Sequence, residues 1–224
     1  MHIDIIAVIP ELMEGPFGYS IIKRAKEKGK VHINIIPLRQ YGLGNYKKID
    51  DQSYGVDAGM VLMCEPLANC IQELQSKRVY DEVVYLCPDG EKYTQQEANR
   101  LSLTKNLLII CGHYKGIDQR IRDKYVTREI SIGDYVLTGG ELAGVVLVDS
   151  LVRLLPGVLN DETSALTDTF QDGLLAPPVY TRPAIFDGME VPEVLRSGDT
   201  KKIKVWQEEM ALKRTQEKRP DLLK

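Results

Sequence analysis

Residues 107–118 read Leu107-Leu108-Ile109-Ile110-Cys111-Gly112-His113-Tyr114-Lys115-Gly116-Ile117-Asp118. Apolar residues stand in an unbroken row at the start, the pattern of a strand buried on both faces. Such a strand belongs in a largely parallel sheet with helices on each side. The run ends in Gly112 and Gly116, which frame a short loop. Glycine loses more entropy on ordering than other residues, so its clustering marks tight turns or close backbone approach. A second stretch has the same build: Glu129-Ile130-Ser131-Ile132-Gly133-Asp134-Tyr135-Val136-Leu137-Thr138-Gly139-Gly140-Glu141. Taken singly, each loop reads as an ordinary connection from strand to helix. Together they suggest one pocket walled by main chain, open to a ligand without side chains in the way.

Outward from these loops, strand-like and helix-like runs alternate, which predicts an α/β domain. Strands are expected at 3–9, 31–37, 82–87 (ended by the turn Pro88-Asp89-Gly90), 107–111 and 125–132. Helices are expected at 19–28, 65–77, 94–102 (Thr94 as cap, Glu97 completing a capping box), 117–122 and 141–155. Residues 39–59 are polar and glycine-rich and read as a long loop, a kind usually functional or mobile inside a compact domain. Beyond Pro156-Gly157 the periodic runs thin out and prolines multiply. The expected division is a domain over 1–160, a linker over 161–172 and a small domain over 173–224, whose helix at 200–219 has Thr200 as its candidate cap and Pro220 as its stop.

With 224 residues the chain can bury a sizeable core. Its net charge of −3 does not announce a nucleic-acid binder, but the charge is uneven. Residues 20–30 carry +4 (five Lys/Arg less one Glu) and residues 200–224 carry +4 (eight Lys/Arg less four Asp/Glu). Each patch reads as a solvated helix face or as a phosphate contact. Cys64, Cys70, Cys87 and Cys111 form no C-x-x-C pair, and His2, His32 and His113 stand at no metal-ligand spacing, so no metal site is expected. The expected place is the cytoplasm, with reduced thiols, no signal peptide at Met1–Pro10 and no apolar run long enough for a bilayer.

No G-x-x-x-x-G-K-[ST] loop occurs and no G-x-G-x-x-G opens a helix after the first strand. The pocket therefore points to an adenosine rather than a phosphate chain, and a nucleotide hydrolase is disfavoured. Asp168, in Thr167-Asp168-Thr169-Phe170, reads as a turn former or as a base. Arg153, near the end of an apolar helix, reads as a dipole partner or as an electrophile facing a pocket. Tyr180-Thr181-Arg182-Pro183 offers an aromatic and a cation in a rigid turn, and Trp206 reads mainly as packing.

Several of these segments resemble one family. The Cys111–Asp118 loop, the Glu129–Glu141 block, Asp168-Thr169-Phe170 with Gly173-Leu174-Leu175, Pro178–Pro183, and Val191-Pro192-Glu193-Val194-Leu195 with Ser197-Gly198, Ile203 and Trp206 are similar to the bacterial tRNA (guanine-N1)-methyltransferases that modify guanosine 37. The likeness runs from Ile9-Pro10-Glu11 to the last helix. It implies a SPOUT-type α/β domain with a deep trefoil knot, a small helical C-terminal domain that grips tRNA, and a homodimer with its sites at the interface. It implies S-adenosylmethionine held by Tyr85, Leu86, Pro88, Gly112, Tyr114, Gly116, Ser131, Ile132, Gly133, Tyr135, Leu137, Gly139 and Gly140. Asp168 of the partner subunit would take the guanine N1 proton, and Arg153 would position or polarise the guanine.

The chain departs from that pattern in places. His113 stands where the family has Arg, Lys115 where it has Glu, and Asp199 where it has His. Gly55-Val56-Asp57-Ala58-Gly59-Met60 replaces a run of glycines before Gly-Met. The family glutamate is tied to magnesium, so Lys115 puts a cation where an oxygen ligand is implied and counts against magnesium as a cofactor here. The competing expectation is a homologue that binds tRNA or cofactor with little catalysis.

Overall fold

The computed structural model describes residues 1–55, 59–159 and 168–223. They fall into two compact units, residues 1–160 and 161–224. Most of the expected linker, 161–167, lies outside the described residues, as do Val56, Asp57 and Ala58.

The first unit is built on a parallel sheet of β1 (His2–Ala7), β2 (His32–Pro37), β5 (Glu82–Lys92), β6 (Asn106–Cys111) and β7 (Arg128–Ser131), in the order β2-β1-β6-β5-β7. Residues alternate between its two faces. Ile3, Ile5, Leu107, Ile109, Val84 and Leu86 look toward α1 (Glu11–Phe17), α2 (Ser20–Glu27), α4 (Gln95–Ser102) and α6 (Glu141–Val152). Ile6, Leu108, Ile110, Val83 and Tyr85 look toward α3 (Cys64–Lys77) and α5 (Gln119–Tyr125). Residues 107–111 are thus fully enclosed, as their unbroken apolar run requires.

Several expectations change, while the Thr94 cap holds. The stretch 39–59 is not all loop. It holds a 3-10 turn at Leu38–Tyr41 and β3 (Asp50–Gln52), which pairs antiparallel with β4 (Met60–Leu62). Pro88-Asp89-Gly90 does not end a strand. The chain bulges there, β7 resumes pairing at Glu91, and β5 runs on to Lys92. Such a bulge re-aims side chains next to a site. The helix α1 escaped the sequence reading because Gly15, Pro16 and Gly18 obscure its period. Thr94 does cap α4, accepting from Glu97 N at 3.3 Å, while the Glu97 carboxylate is held by Arg100.

The second unit is organised around α8 (Thr200–Lys218), with α7 (Glu193–Arg196) and a hairpin of β8 (Ile185–Phe186) and β9 (Met189–Glu190). Asp187 and Gly188 both take positive φ, as a two-residue hairpin turn demands. Asp199, not Thr200, caps α8: its carboxylate accepts from Lys201 N and Lys202 N. Thr215 is fully buried, donates to Ala211 O and accepts from Leu175 N, tying the 170s segment to the helix. Among the described residues no helix is long and apolar enough to cross a membrane.

Candidate active site

A cavity of about 320 Å³ opens at the carboxyl ends of β5, β6 and β7. In parallel α/β sheets that edge is where ligands bind, because the loops there diverge to opposite sides. The β5 bulge supplies Leu86, Cys87, Pro88 and Asp89; the loop after β6 supplies Gly112 to Gly116; the loop from β7 to α6 supplies Ser131 to Gly133 and Tyr135 to Gly140. All thirteen residues expected at a cofactor pocket line this one cavity.

Two loops far apart in sequence meet at its back wall. Gly140 N donates to Gly112 O at 2.6 Å, and His113 bridges to Gly139. A Cβ on Gly140 would stand 2.7 Å from Gly112 N and 2.9 Å from Cys111 Cα, so only glycine permits this approach. The neighbouring turn is closed by Ser131, whose hydroxyl donates to Gly133 O and accepts from Gly133 N. The Gly116 amide donates to His113 O, and Leu62 N donates to Gly116 O. The wall is therefore rigid main chain backed by hydrogen bonds.

The floor is polar on one side. Tyr85 is buried, which pushes its hydroxyl up to about 12. The Arg122 guanidinium lies 5.3 Å from the centre of its ring. Arg122 also binds Glu129 at 2.6 and 2.8 Å and Asp89 at 2.7 Å. That pairing holds the Asp89 carboxyl below the usual carboxylate range, against the smaller opposing effect of burial. Burial raises the Cys87 thiol to about 12 and drives the Cys111 thiol well above its ordinary value. Neither cysteine is a thiolate at neutral pH, so neither is a nucleophile here. Ligand atoms of Cys87, Asp89 and Glu129 lie within 4.8 Å of one another, but Arg122 already supplies the cation to both carboxylates.

The other two predicted residues stand elsewhere. Arg153 is the half-buried C-cap of α6, and Asp168 is half-buried in the second unit, its carbonyl accepting from Gln171 N. Neither lines the cavity. Sequence reading gave no role to Arg122, Cys87 or Asp89, which do line it, nor to Glu141, which lies behind its wall. Arg122 was legible only as a helix residue, because its carboxylate partners come from β7 and the β5 bulge. The cavity suits a nucleoside: glycine-bearing main chain, apolar Leu86, Ile130 and Ala143, and exposed rings of Tyr114 and Tyr135.

A family model described as tRNA (Guanine-1)-methyltransferase TrmD matches residues 1–224. The chain belongs to this family. A tRNA (guanine-N(1)-)-methyltransferase of Christiangramia forsetii is 58% identical over 223 residues, covering 100% of this chain and 99% of that protein. One of Cytophaga hutchinsonii is 59% identical over 222 residues (99% of this chain, 94% of that protein). One of Flavobacterium johnsoniae is 56% identical over 223 residues (100% and 99%). Within the tRNA (guanine-1)-methyltransferase family, this chain places its glycine-bearing loops around a cavity at the strand ends. A second, shallow hollow in the second unit is lined by Val194, Lys201, Lys202, Val205, Trp206 and Glu209. Tyr180 lies 6.4 Å from Trp206, ring centre to ring centre, and Tyr180 and Arg182 are exposed.

Proposed function

We propose that this chain transfers the methyl group of S-adenosylmethionine to N1 of guanosine 37 in tRNA, in the cytoplasm. The observation that carries the reaction class is the family match over residues 1–224. The sulfonium of S-adenosylmethionine supplies an already activated methyl group. What remains for the protein is positioning, removal of one proton and stabilisation of developing charge.

The cavity walls Gly112 to Gly116 and Ser131 to Gly140 hold the adenosine through main chain, with Tyr85, Leu86 and Pro88 beneath. A base must then accept the N1 proton. Among the described residues the only carboxylate lining the cavity is Asp89, and it is committed to Arg122. The base is the partner subunit's Asp168, and Arg153 holds the guanine O6 as negative charge develops there.

A second copy also accounts for α6. Leu142 and Val146, one turn apart, are 47% and 48% exposed on a largely apolar helix, and Val136 before it is 82% exposed. A helix of that composition is normally covered all round. The two loops joined at Gly112 and Gly140 are the place where the chain passes through itself as a trefoil knot. The second unit, with exposed Lys201, Lys202 and Lys204 beside Trp206, grips the tRNA. Lys115 brings a cation to the cavity, which counts against magnesium there.

The test is transfer of labelled methyl from S-adenosylmethionine to tRNA transcripts bearing G or A at position 37. Incorporation into the G transcript alone is expected; incorporation into neither would sink the reading. Mixing subunits of Gly139→Val, whose cavity is closed, with subunits of Asp168→Asn tests the shared site. If half the dimers are mixed and one of their two sites is intact, roughly a quarter of the activity returns.

A further inference from the structure

Glu141 is the first residue of α6, and its side chain is 1% exposed. Its Oε1 accepts from Val8 N at 3.0 Å and Ile9 N at 3.1 Å, so the carboxylate fastens the end of β1 to the start of α6. The positive end of the helix dipole lies at the same point. Its other oxygen, Oε2, is buried without a partner among the described residues. So is Nδ1 of His113, 3.8 Å away. Two buried polar atoms that face one another unbonded are costly, and each is the partner the other lacks.

The gap between them is closed to other side chains. A Cβ on Gly139 would stand 2.5 Å from both Glu141 Oε2 and His113 Nδ1. The Tyr114 ring packs edge-on against the imidazole at 4.7 Å. His113 belongs to the loop after β6 and Gly139 to the loop before α6, so the pair sits where the two walls of the cavity meet. A shift of less than 1 Å brings Nδ1 and Oε2 into hydrogen-bond range.

We propose that His113 and Glu141 are a positioning pair for the donor pocket: when S-adenosylmethionine is bound, Nδ1–H donates to Oε2 and locks the two loops around it. The inference rests on the reading of this cavity as the methyl-donor site. Val8 N–H and Ile9 N–H fix one carboxylate oxygen as an acceptor, so the other must be the one that meets His113. The ring is thereby set as the Nδ1–H tautomer, with Nε2 left as an acceptor.

Calorimetry with S-adenosylmethionine, thermal midpoints and kinetics on three variants test the pair. His113→Phe keeps a ring but has no donor; His113→Asn restores an amide N–H near the position of Nδ1. Removing one buried hydrogen bond weakens donor binding about tenfold in His113→Phe, and His113→Asn recovers most of the loss. The KM for the donor rises in His113→Phe more than the KM for tRNA, while the thermal midpoint stays within a few degrees of the unaltered protein. In Glu141→Gln, Val8 and Ile9 hold the amide oxygen, so the amide N–H₂ faces His113. Imidazole ¹⁵N signals of the donor complex then show the ring hydrogen moving from Nδ1 to Nε2. Equal donor affinity in His113→Phe, no recovery in His113→Asn, or an unchanged tautomer in Glu141→Gln overturns the pair. No donor binding by the unaltered protein overturns the pair together with the reading of the cavity.

Discussion

The first unit and the second unit are stabilised in opposite ways. The first has two continuous cores, one on each face of its sheet, and its cavity wall is main chain fixed by hydrogen bonds. In the second, among the described residues, only Ala211 and Thr215 are buried, and the long helix α8 is polar nearly all round. A helix of that kind in a unit of that size gains little from burial, and its charged face is free for a partner. The lesson concerns the two substrates proposed above. A small donor is held by a preformed wall, whereas a large polyanion is met by exposed cations and rings.

The largest effect expected from breaking this division is at Asp168. Asp168→Asn lowers turnover by about 10²–10⁴-fold, the usual weight of a general base. Its affinity for S-adenosylmethionine by calorimetry stays within about twofold, because Asp168 is not part of the cavity wall. Near-normal turnover would remove Asp168 from the chemistry. Next is Gly140→Ala, which forces Cys111 and Gly112 to move and costs the fold about 1–3 kcal/mol. Denaturant titration gives that cost, and donor binding falls with it; an unchanged midpoint and affinity would mean the two walls are not rigidly joined.

Salt separates the units more gently. Replacing Lys201, Lys202 and Lys204 by Ala weakens tRNA binding, and each loss reduces the slope of log affinity against log salt by about 1 if that lysine meets a phosphate. The donor, held by the first unit, shows almost no salt dependence. Equal slopes before and after the substitutions would take α8 out of the tRNA contact.

Acid gives the smallest and broadest contrast. Asp51, Glu73, Asp81, Asp89, Glu97 and Asp118 all titrate below their ordinary values, mainly through hydrogen bonds to Lys48, Lys77, Asn106, Arg122, Arg100 and Arg120 in turn. All lie in the first unit. A depressed carboxyl contributes stability above its unfolded pKa and loses it as pH falls through the folded one. The first unit is therefore expected to hold its full stability above about pH 5 and to lose it progressively below about pH 4. Thermal melts across that range check the window; a fall already complete at pH 5 would point to a different set of groups.

Much of the cavity was legible because its parts are local. The apolar run 107–111 and the glycines around 112–116 and 133–140 announce a buried strand and two tight loops without help from the rest of the chain. What was not legible needed partners distant in sequence. Pro88-Asp89-Gly90 carries every sign of a turn, and only the pairing of Ile130 with both Leu86 and Glu91 makes it a bulge. The ladder of Asp50–Gln52 with Met60–Leu62 is too short to show alternation. Glu141 reads as an ordinary first-turn acid, since Val8, Ile9 and His113 reach it only through the fold. Asp199 displaced Thr200 as the cap by one position, a choice between two good cap residues that composition does not make.

The strand order carries a consequence for synthesis. β1 is flanked by β2, which follows it closely, and by β6, with His2 opposite Asn106. Until β6 has been made, one edge of β1 is a bare row of main-chain groups between two apolar faces, a ready template for another chain. Ribosomes add about 5–20 residues per second, so the interval between the end of β2 at Pro37 and the end of β6 at Cys111 lasts roughly 4–15 s. During that interval the nascent chain is a natural client for a chaperone, and overproduction at high temperature should lose protein to aggregation at this edge first.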